Sequence, residues 1–371
     1  MDTMAFLSIL LLLCAFPLSN AVGRLRKFYL IPRNVPTTNT PLNICKLQNY
    51  TDFVTVYDED DNTELYTLIS NISLPRSALI GAHTINTNYT SKWSNGDDVT
   101  FTQLNETCGG ICGAAFRANG SWELLPYSTK IYFICYEEGV GQASDKYILI
   151  LLNKNWTEAQ LYCRKNHNDL VSIRNETENE SVKSIIKDSE FNFWIGLLYD
   201  NIEWFDGAQS SYRNYSKIPD QEKQTLLTIN NSKKTWIQGS KTGSFNALCY
   251  KSFIHVSSDE MSWEDAQNYC NSNASGLLQI ESQNDQIETE RELRRQKIPG
   301  PVWIGLRYKF TSGLWIWANG SFVESWINWK GGSQPEHQMS QYCGAIEKVN
   351  GVFKLSDKDC GFKFRVLCEK R

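Results

Sequence analysis

Oxygen-bearing side chains gather around a proline near the end of the 371-residue chain, in the segment GGSQPEHQMSQYC at residues 331–343. Gln334, Glu336 and Gln341 supply amide and carboxylate oxygens. Ca²⁺ prefers oxygen ligands of this kind and takes about six to eight of them. The segment is therefore either a calcium site or the remnant of one, and the rest of the chain must decide.

Other residue patterns point away from catalysis. The acidic run Asp58–Asp61 lacks the opposed pair of acids that glycoside hydrolysis requires, and acids before a helix favour its start. No serine nucleophile elbow, His-Glu-x-x-His motif or P-loop is present. We therefore expect no enzyme. The four histidines have no metal-ligand spacing, although His337 lies inside the polar segment; they are His83, His167, His255 and His337.

A basic stretch, RELRRQK at residues 291–297, has two interpretations. The pattern favours the exposed side of a helix, and contact with a sulfated glycan is the alternative. The whole chain carries a net charge of −4 and shows no basic face. Nucleic acid is therefore not an expected partner.

Residues 1–21 predict a secretory signal peptide. An apolar run extends from Ala5 to Phe16, and the small residues Ser19 and Ala21 precede a plausible cleavage site. The run is shorter than the roughly 20 residues that span a bilayer. The chain has no later long apolar stretch and ends soon after Cys368. We expect a secreted, extracellular protein without a transmembrane segment.

Cysteines and glycosylation sequons agree with secretion. Of the 11 cysteines, Cys14 lies in the signal, so ten remain, an even number that a disulfide framework requires. Twelve Asn-x-Ser/Thr sequons predict a glycoprotein. The sequons begin at Asn49, Asn71, Asn88, Asn105, Asn119, Asn155, Asn175, Asn179, Asn214, Asn230, Asn273 and Asn319.

The chain contains an internal repeat, which appears twice clearly and once weakly. The octapeptides WTEAQLYC and WEDAQNYC end at Cys163 and Cys270 and predict amphipathic helices with the tryptophan and cysteine on one face. Each is followed by an apolar strand, a second helical pattern and a WIGL strand, at 194–197 and 303–306. A weaker copy precedes them, with TPLNIC, FVTV and ALIGA in the same order.

Two further landmarks occur once per repeat. A Trp-x-Asn/Asp-Gly turn follows each WIGL-like strand, at residues 93–96, 204–207 and 317–320. Each repeat then closes on a cysteine in an apolar strand, at Cys135, Cys249 and Cys368. The same order of landmarks three times predicts a tandem array.

On these residues the chain resembles three tandem C-type lectin-like domains, similar to mannose-receptor-like repeats. The resemblance implies an α+β fold in which each domain has two helices, antiparallel sheets, a long loop region and disulfides. It implies domains at 22–138 (divergent), 143–250 and 251–371. Ligand binding is expected in the long loops.

The resemblance also implies a disulfide pattern. The first-helix cysteine pairs with the last-strand cysteine, which gives Cys45–Cys135, Cys163–Cys249 and Cys270–Cys368. The loop bridge of the family corresponds to Cys343–Cys360, and a local Cys108–Cys112 bridge uses the two cysteines that remain. Half of a metal site is the alternative for this last pair, but no second cysteine pair or nearby histidine completes it.

Sugar-binding members of the family carry Glu-Pro-Asn or Gln-Pro-Asp in the loop, then a glutamate two residues before the loop cysteine, then Trp-Asn-Asp. A cis peptide before the loop proline is expected. The third repeat has Gln334-Pro335-Glu336, then Gln341, then Leu355-Ser356-Asp357. An acid has become Gln341 and an asparagine has become Ser356. The resemblance therefore implies a degenerate calcium and sugar site at Gln334, Glu336, Gln341, Ser356 and Asp357.

The other repeats depart further from the pattern. The second has Ile218-Pro219-Asp220 and Trp236-Ile237-Gln238, and the first has Trp122-Glu123-Leu124 without a loop proline. We expect no cofactor, and calcium in the third domain is the one exception that the residues allow. The leading hypothesis is a secreted, lectin-like protein that binds carbohydrate or glycoprotein ligands with weak or no calcium dependence. A calcium-independent protein-binding or structural extracellular spacer is the alternative, and an enzyme is the remote one.

Overall fold

The structure is a computed structural model that describes most of the chain after residue 22. The described residues are 23–36, 43–70, 77–85, 89–104, 106–138, 146–187, 189–215, 226–230, 234–239, 244–323, 327–335 and 341–370. They form a mixed α+β fold with three β-sheets, as expected. The predicted signal peptide at 1–21 lies outside these residues.

The described residues contain six helices, two for each repeat. They are α1 (Ile44–Leu47), α2 (Glu59–Ser70), α3 (Trp156–Asn166), α4 (Glu176–Ile186), α5 (Trp263–Asn273) and α6 (Gln283–Arg295). Polar side chains accept a backbone N–H at the start of α3, α4, α5 and α6, which satisfies groups that a helix leaves unpaired. The predicted apolar face of α3 is buried, with Trp156, Ala159 and Cys163 all inaccessible to solvent.

Twenty strands accompany these helices. The first repeat contributes β1 (Arg26–Pro36), β2 (Asp52–Phe53), β3 (Ser77–Thr84), β4 (Thr90–Trp93), β5 (Cys112–Phe116), β6 (Trp122–Pro126) and β7 (Ile131–Tyr136). The second contributes β8 (Tyr147–Lys154), β9 (Asp169–Leu170), β10 (Phe193–Asp200), β11 (Ile202–Trp204), β12 (Leu226–Asn230), β13 (Trp236–Gln238) and β14 (Ser244–Ser252). The third contributes β15 (Ile254–Val256), β16 (Val302–Lys309), β17 (Leu314–Trp317), β18 (Gln341–Val349), β19 (Val352–Asp359) and β20 (Arg365–Glu369).

Glycines explain two repeated landmarks. In each Trp-x-Asn/Asp-Gly turn the glycine N–H donates to the tryptophan carbonyl, and Gly96, Gly207 and Gly320 have φ values of +81°, +78° and +89°. This confirms the predicted turns. In the second repeat the WIGL glycine, Gly196, lies against a neighbouring backbone, where an added Cβ would come within 3.0 Å of the Val171 carbonyl oxygen.

The third repeat forms a sheet by itself. Its strand order is β15-β20-β16-β18-β19, with β17 paired to β16. The first and last strands, β15 and β20, are antiparallel neighbours, so the ends of this repeat meet in the sheet. This third unit spans residues 253–370, and the domain limits 251–371 stay a prediction.

The first two repeats exchange halves. One sheet has the order β1-β14-β3-β12-β13, which joins the amino-terminal half of the first repeat to the carboxy-terminal half of the second. We call residues 26–85 with 201–252 the first unit. The other sheet has the order β6-β5-β10-β7-β8 and contains the remaining halves. We call residues 89–200 the second unit.

The predicted domain boundaries at 22–138 and 143–250 are therefore wrong as limits of folded units. β7 and β8, on either side of the predicted boundary, are antiparallel neighbours in one sheet. Strand β3 pairs with β11 instead of its sequence neighbour β4, and β10 pairs with β4 instead of β11. The exchange point in each repeat lies between the WIGL-like strand and the tryptophan turn.

The exchange also changes two disulfides. The structure contains Cys45–Cys249 and Cys135–Cys163 in place of the expected Cys45–Cys135 and Cys163–Cys249. A first-helix cysteine still bonds to a last-strand cysteine within one unit, but the two come from different repeats. The other bridges match the expected pairs, namely Cys108–Cys112, Cys270–Cys368 and Cys343–Cys360.

A short connection in the second repeat gives the physical reason. Trp204 lies eight positions after Gly196, whereas the turn tryptophans of the other repeats, Trp93 and Trp317, lie twelve positions after the matching glycines. Only Asn201 lies between β10 and β11, so the chain continues across to the other sheet. Short hinge loops favour exchange of this kind. The two crossing strands bind each other, since Ile85 N donates to Asn201 O at 2.8 Å and Asn201 Nδ2 donates to Ile85 O at 3.0 Å.

A buried ion triad lies beside this crossing. Asp200 is inaccessible to solvent, and its carboxylate is 2.8 Å from Lys92 Nζ and 2.7 Å from Arg213 Nε. Burial by itself would raise the pKa of Asp200, but Arg213 and Lys92 hold it below its usual value. Lys92 belongs to the second unit and Arg213 to the first, so Asp200 links the two units.

Disulfide mapping tests the exchange. Non-reducing digestion of the purified protein should release a peptide pair that contains Cys45 and Cys249, and another that contains Cys135 and Cys163. The pairs Cys45–Cys135 and Cys163–Cys249 would contradict the exchange, whereas Cys270–Cys368 serves as the internal control because both topologies contain it.

The variant Asp200→Asn should lower the free energy of unfolding by about 3 kcal/mol, because it leaves two buried cations without a counter-charge. The pKa of Asp200 is depressed in the folded state, so its stabilising effect is present above the unfolded pKa of about 4 and is lost as the pH falls through the folded value. Denaturant titration at neutral and acidic pH measures both effects. The control Asp98→Asn, at an exposed pair with Lys297, should cost less than about 1 kcal/mol.

Candidate functional site

The loop triplet of the third unit is only partly described. Gln334 is exposed and Pro335 is half-buried, whereas Glu336 and His337 lie outside the described residues. Among the described residues the one cis peptide bond is Gly300–Pro301, so the expected cis bond before Pro335 is not observed. Of the ligand oxygens predicted in this segment, only that of Gln334 belongs to the described residues before β18.

The strand that follows places Ser356 and Asp357 on opposite faces. Both lie in β19, where Ser356 is opposite Ala345 and Asp357 is opposite Gly344. Successive side chains of a strand point to opposite sides of the sheet, and in agreement Ser356 is only 3% exposed while Asp357 is half-buried. Gln341 begins the neighbouring strand β18, opposite Asp359. The regular strand thus separates two of the candidate oxygens.

The acid near Ser356 is already occupied by cations. Glu347 Oε1 is 2.9 Å from Lys358 Nζ and 3.1 Å from Lys330 Nζ. Burial alone would raise the pKa of Glu347, but hydrogen bonds from Lys358 and Lys330 hold it below its usual value. Two lysines therefore neutralise this carboxylate. Their charge opposes a metal ion at this part of the sheet, because calcium affinity rises with negative ligand charge.

No metal cluster is found in the described part of the chain. Within those ranges no three His, Cys, Asp or Glu side chains lie close enough together to hold a metal ion. The Cys343–Cys360 bridge nevertheless ties the start of β18 to the residue after β19, as in the family pattern. The loop framework of the third unit is thus present, and its described residues lack a set of metal ligands.

The first and second units use the corresponding strand for packing. Trp236 donates its indole N–H to Asn62 Oδ1 at 2.9 Å, and Trp122 donates to Asn179 Oδ1 at 3.0 Å. Both indoles are buried, and both asparagines are the fourth residue of their helix. Each bond joins halves of different repeats. The predicted segment Ile218-Pro219-Asp220 lies outside the described residues.

An aromatic cluster next to the loop of the third unit was missed from sequence. The Phe310 ring lies 4.4 Å from the Tyr342 ring, and Tyr342 lies beside Cys343, where the long loop re-enters the sheet. Phe310 is 60% exposed and Leu314 is 42% exposed at the same hairpin tip. The dense aromatic content of residues 308–317 was a usable signal for this cluster.

The basic stretch is not the exposed side of a helix, which corrects the expectation from sequence. Arg291 bonds to Asp58 of the first unit, and Arg294 Nε lies 3.1 Å from Asp97 of the second. Burial by itself would raise the pKa of Asp97, but Arg294 and Lys348 hold it below its usual value. The α6 arginines therefore bind the three units together, and in this stretch Lys297 stays exposed.

The acidic run and the histidines also have structural contacts. The Asp58 carboxylate accepts the Asp61 backbone N–H at 2.9 Å, as expected of an acid before a helix. The Asp61 carboxylate lies 2.6 Å from Arg26 Nη2. The three described histidines each have one aromatic or polar neighbour: His83 with Phe205, His167 with Glu137, and His255 with Tyr269.

Sequon exposure varies across the described residues. Asn179 is 2% exposed, and its Nδ2 atom, the atom to which a glycan would be attached, donates to Gly120 O at 3.2 Å. Asn155 and Asn214 are half-buried. The exposed sequons are Asn49, Asn119, Asn175, Asn273 and Asn319.

Known proteins are similar in sequence to two stretches of this chain. The Lectin C-type domain family model matches residues 152–251 and 259–370, more than half of the chain. Human lithostathine-1-beta is 29% identical over 130 residues, which cover 34% of this chain and 75% of that protein. The C-type lectin lectoxin-Phi1 of Philodryas olfersii is 27% identical over 128 residues, which cover 34% of this chain and 79% of that protein.

Solved structures of similar proteins each match about one third of the chain. The structure of human lithostathine at 1.3 Å resolution is 27% identical in sequence to this chain. The match covers 32% of this chain and 82% of lithostathine and has a TM-score of 0.29. The C-type lectin CEL-I of Cucumaria echinata is 22% identical, covers 31% of this chain and 86% of its own, and has a TM-score of 0.28. With the family model matched over most of two repeats, the chain belongs to the C-type lectin domain family.

Proposed function

We propose that this chain is a secreted, extracellular recognition protein that binds carbohydrate or glycoprotein ligands through the long loop region of its third unit, with weak or no calcium dependence. The observation that carries this proposal is the surface formed by exposed Phe310 and Leu314 and half-buried Tyr342 beside the bridged loop, which we call the aromatic face. Exposed aromatic and apolar side chains grouped in this way mark interaction sites. Binding, and not catalysis, is the activity that family membership supports.

The calcium part of the proposal rests on charge. Glu347 is bound by Lys330 and Lys358, and Ser356 faces the buried side of its strand. A calcium ion there would have to displace two cations and would find few carboxylates. We therefore infer that ligand binding depends on side-chain contacts and not on a metal ion.

Secretion is supported by the cysteines. All ten cysteines that follow the predicted signal form five disulfides, which a reducing cytosol would not maintain. In the described residues no helix is long and apolar enough to cross a membrane.

A structural spacer is the second candidate function. Salt bridges of Arg291 and Arg294 connect the third unit to the other two, and the first two units share exchanged halves. This arrangement favours a rigid block that could hold partners at fixed positions. A spacer of this kind would not require a ligand at the aromatic face.

Binding of the full-length protein to a glycan array, with and without chelator, separates the two functions. We expect glycan signals that survive chelation and fall at least tenfold in Phe310→Ser. The matched control is Phe191→Ser, at an equally exposed phenylalanine of the second unit. If no glycan on the array binds, the spacer function is favoured. If Phe310→Ser and Phe191→Ser lose glycan signal equally, the aromatic face is not the binding site.

Thermal unfolding should respond little to calcium. We expect the Tm of the full-length protein to differ by less than about 1 °C between millimolar Ca²⁺ and chelator, because no calcium ion is expected to bind. An ion that bound only to the folded state would raise the free energy of unfolding by about 2.7 kcal/mol at 100 times its Kd and would raise the Tm measurably. Asp357→Asn should give the same small difference. A rise of several degrees that this variant abolishes would contradict the inference.

Glycopeptide mass spectrometry should find Asn179 without a glycan in the secreted protein. A glycan at this position would break the hydrogen bonds to Gly120 and Trp122 and expose a buried contact. Asn175, four residues earlier on the exposed face, is the internal control and should be accessible to glycosylation. Full occupancy at Asn179 would show that the buried arrangement does not form.

A further inference from the structure

We propose that the cleft at which the three units meet is a second binding site, and that it takes a neutral, hydroxyl-rich ligand such as a short oligosaccharide. Its described lining encloses about 660 Å³, a volume typical of small-molecule sites. The cleft is lined by α2, α3 and α6 and is separate from the aromatic face of the third unit. The proposal therefore goes beyond the loop-mediated recognition described above.

Contacts between units fix the walls of this cleft. Arg291 of the third unit bonds to Asp58 of the first. Arg164 of the second unit donates from Nη1 to the Tyr57 carbonyl of the first at 2.8 Å. Lys354 Nζ of the third lies 2.6 Å from Glu138 of the second. A site whose walls are held in this way costs little ordering when a ligand binds.

The charges of the lining are nearly balanced, which points to a neutral ligand. Most of the cations already bind carboxylates: Arg164 binds Asp169, and Arg294 binds Glu290 at 2.9 Å. An ionic ligand would have to separate such pairs. The lining has five basic residues, Arg164, Lys165, Arg174, Arg291 and Arg294, and six acidic ones, Asp58, Glu59, Asp60, Glu138, Asp169 and Glu290.

Apolar surface alternates with these polar groups. Leu161 on α3 and Ile287 on α6 lie in the lining, and Ile287 is 45% exposed. A sugar ring presents apolar C–H faces between its hydroxyl groups, so it can contact such side chains while its hydroxyls bond to the fixed donors and acceptors. Mixed lining of this type is usual for small-molecule pockets.

Arg174 provides a donor that is not fully used. Its guanidinium lies 3.6 Å from Asp97 and 3.6 Å from Glu178, beyond hydrogen-bond distance. Nε is buried, but the side chain as a whole is 21% exposed, so a ligand reaches its terminal nitrogens and not Nε. The side chain lies against Gly351, where an added Cβ would come within 2.1 Å of Nη2. The planar guanidinium can donate to two neighbouring hydroxyls at once.

Titration of the full-length protein with lactose, maltotriose and chitotriose, followed by saturation-transfer NMR, tests the site, with 3′-sialyllactose as the charged comparison. We expect at least one neutral sugar to bind. Its affinity should fall about tenfold in Arg174→Ala, the loss of one charged hydrogen bond, and binding should disappear in Ile287→Trp, which narrows the mouth. Arg117→Ala and Leu152→Trp, at a leucine as exposed as Ile287 and outside the lining, are the matched controls and should keep this binding.

Three results would overturn the proposal: no neutral sugar binds, only sialyllactose binds, or binding is unchanged in both cleft variants. Circular dichroism melting will show which variants are folded. Because Ile287 is exposed, Ile287→Trp should fold and test the cleft even if Arg174→Ala unfolds. Phe310→Ser separates the two sites, because it should remove binding at the aromatic face and leave binding in the cleft unchanged. Loss of binding in Phe310→Ser alone would assign the sugar to the loop region and would contradict the cleft.

Discussion

Each of the first two sheets depends on one central strand whose hydrogen-bonded neighbouring strands all come from the other repeat. β3 is hydrogen-bonded to β11 and β12 on one side and runs parallel to β14 on the other, and all three partners belong to the second repeat. β10 has the equivalent neighbours, β4, β5 and β7, from the first repeat. Neither unit can complete its sheet without the other repeat, so residues 26–252 form one interlocked body.

Ion pairs extend this coupling to the third unit. Arg26 is held between Asp61 of the first unit and Glu288 of the third, with side-chain exposures near 7%. Asp97 receives Arg294 and Lys348 from the third unit. Buried pairs of this kind contribute little net stability against apolar alternatives but are costly to break. Their effect here is to fix the orientation of the three units, and the cleft between them is a consequence of that orientation.

The third unit keeps a loop framework whose packing residues are separate from the predicted ligand residues. The Cys343–Cys360 bridge, the paired strands β18 and β19 and the buried Trp329 maintain the loop region. On this framework Ser356 faces inward, and lysines occupy the Glu347 carboxylate. Packing residues and ligand residues alternate along the strand, so one set can change without disturbing the other.

The sequence by itself determined the local elements: the amphipathic helices that end near Cys163 and Cys270, the tryptophan turns and the buried Trp156 and Cys163 all follow from short-range patterns of spacing and turn chemistry. It also indicated the family, the loop framework and the loss of an acid at Gln341. The tertiary structure alone decided which halves pair, because equivalent strands and helix cysteines of the first two repeats carry the same signals and both pairings satisfy them. The short connection around Asn201 is visible in the sequence, whereas the buried charge of Asp200 and the contacts of α6 with the other units act between residues far apart in the chain.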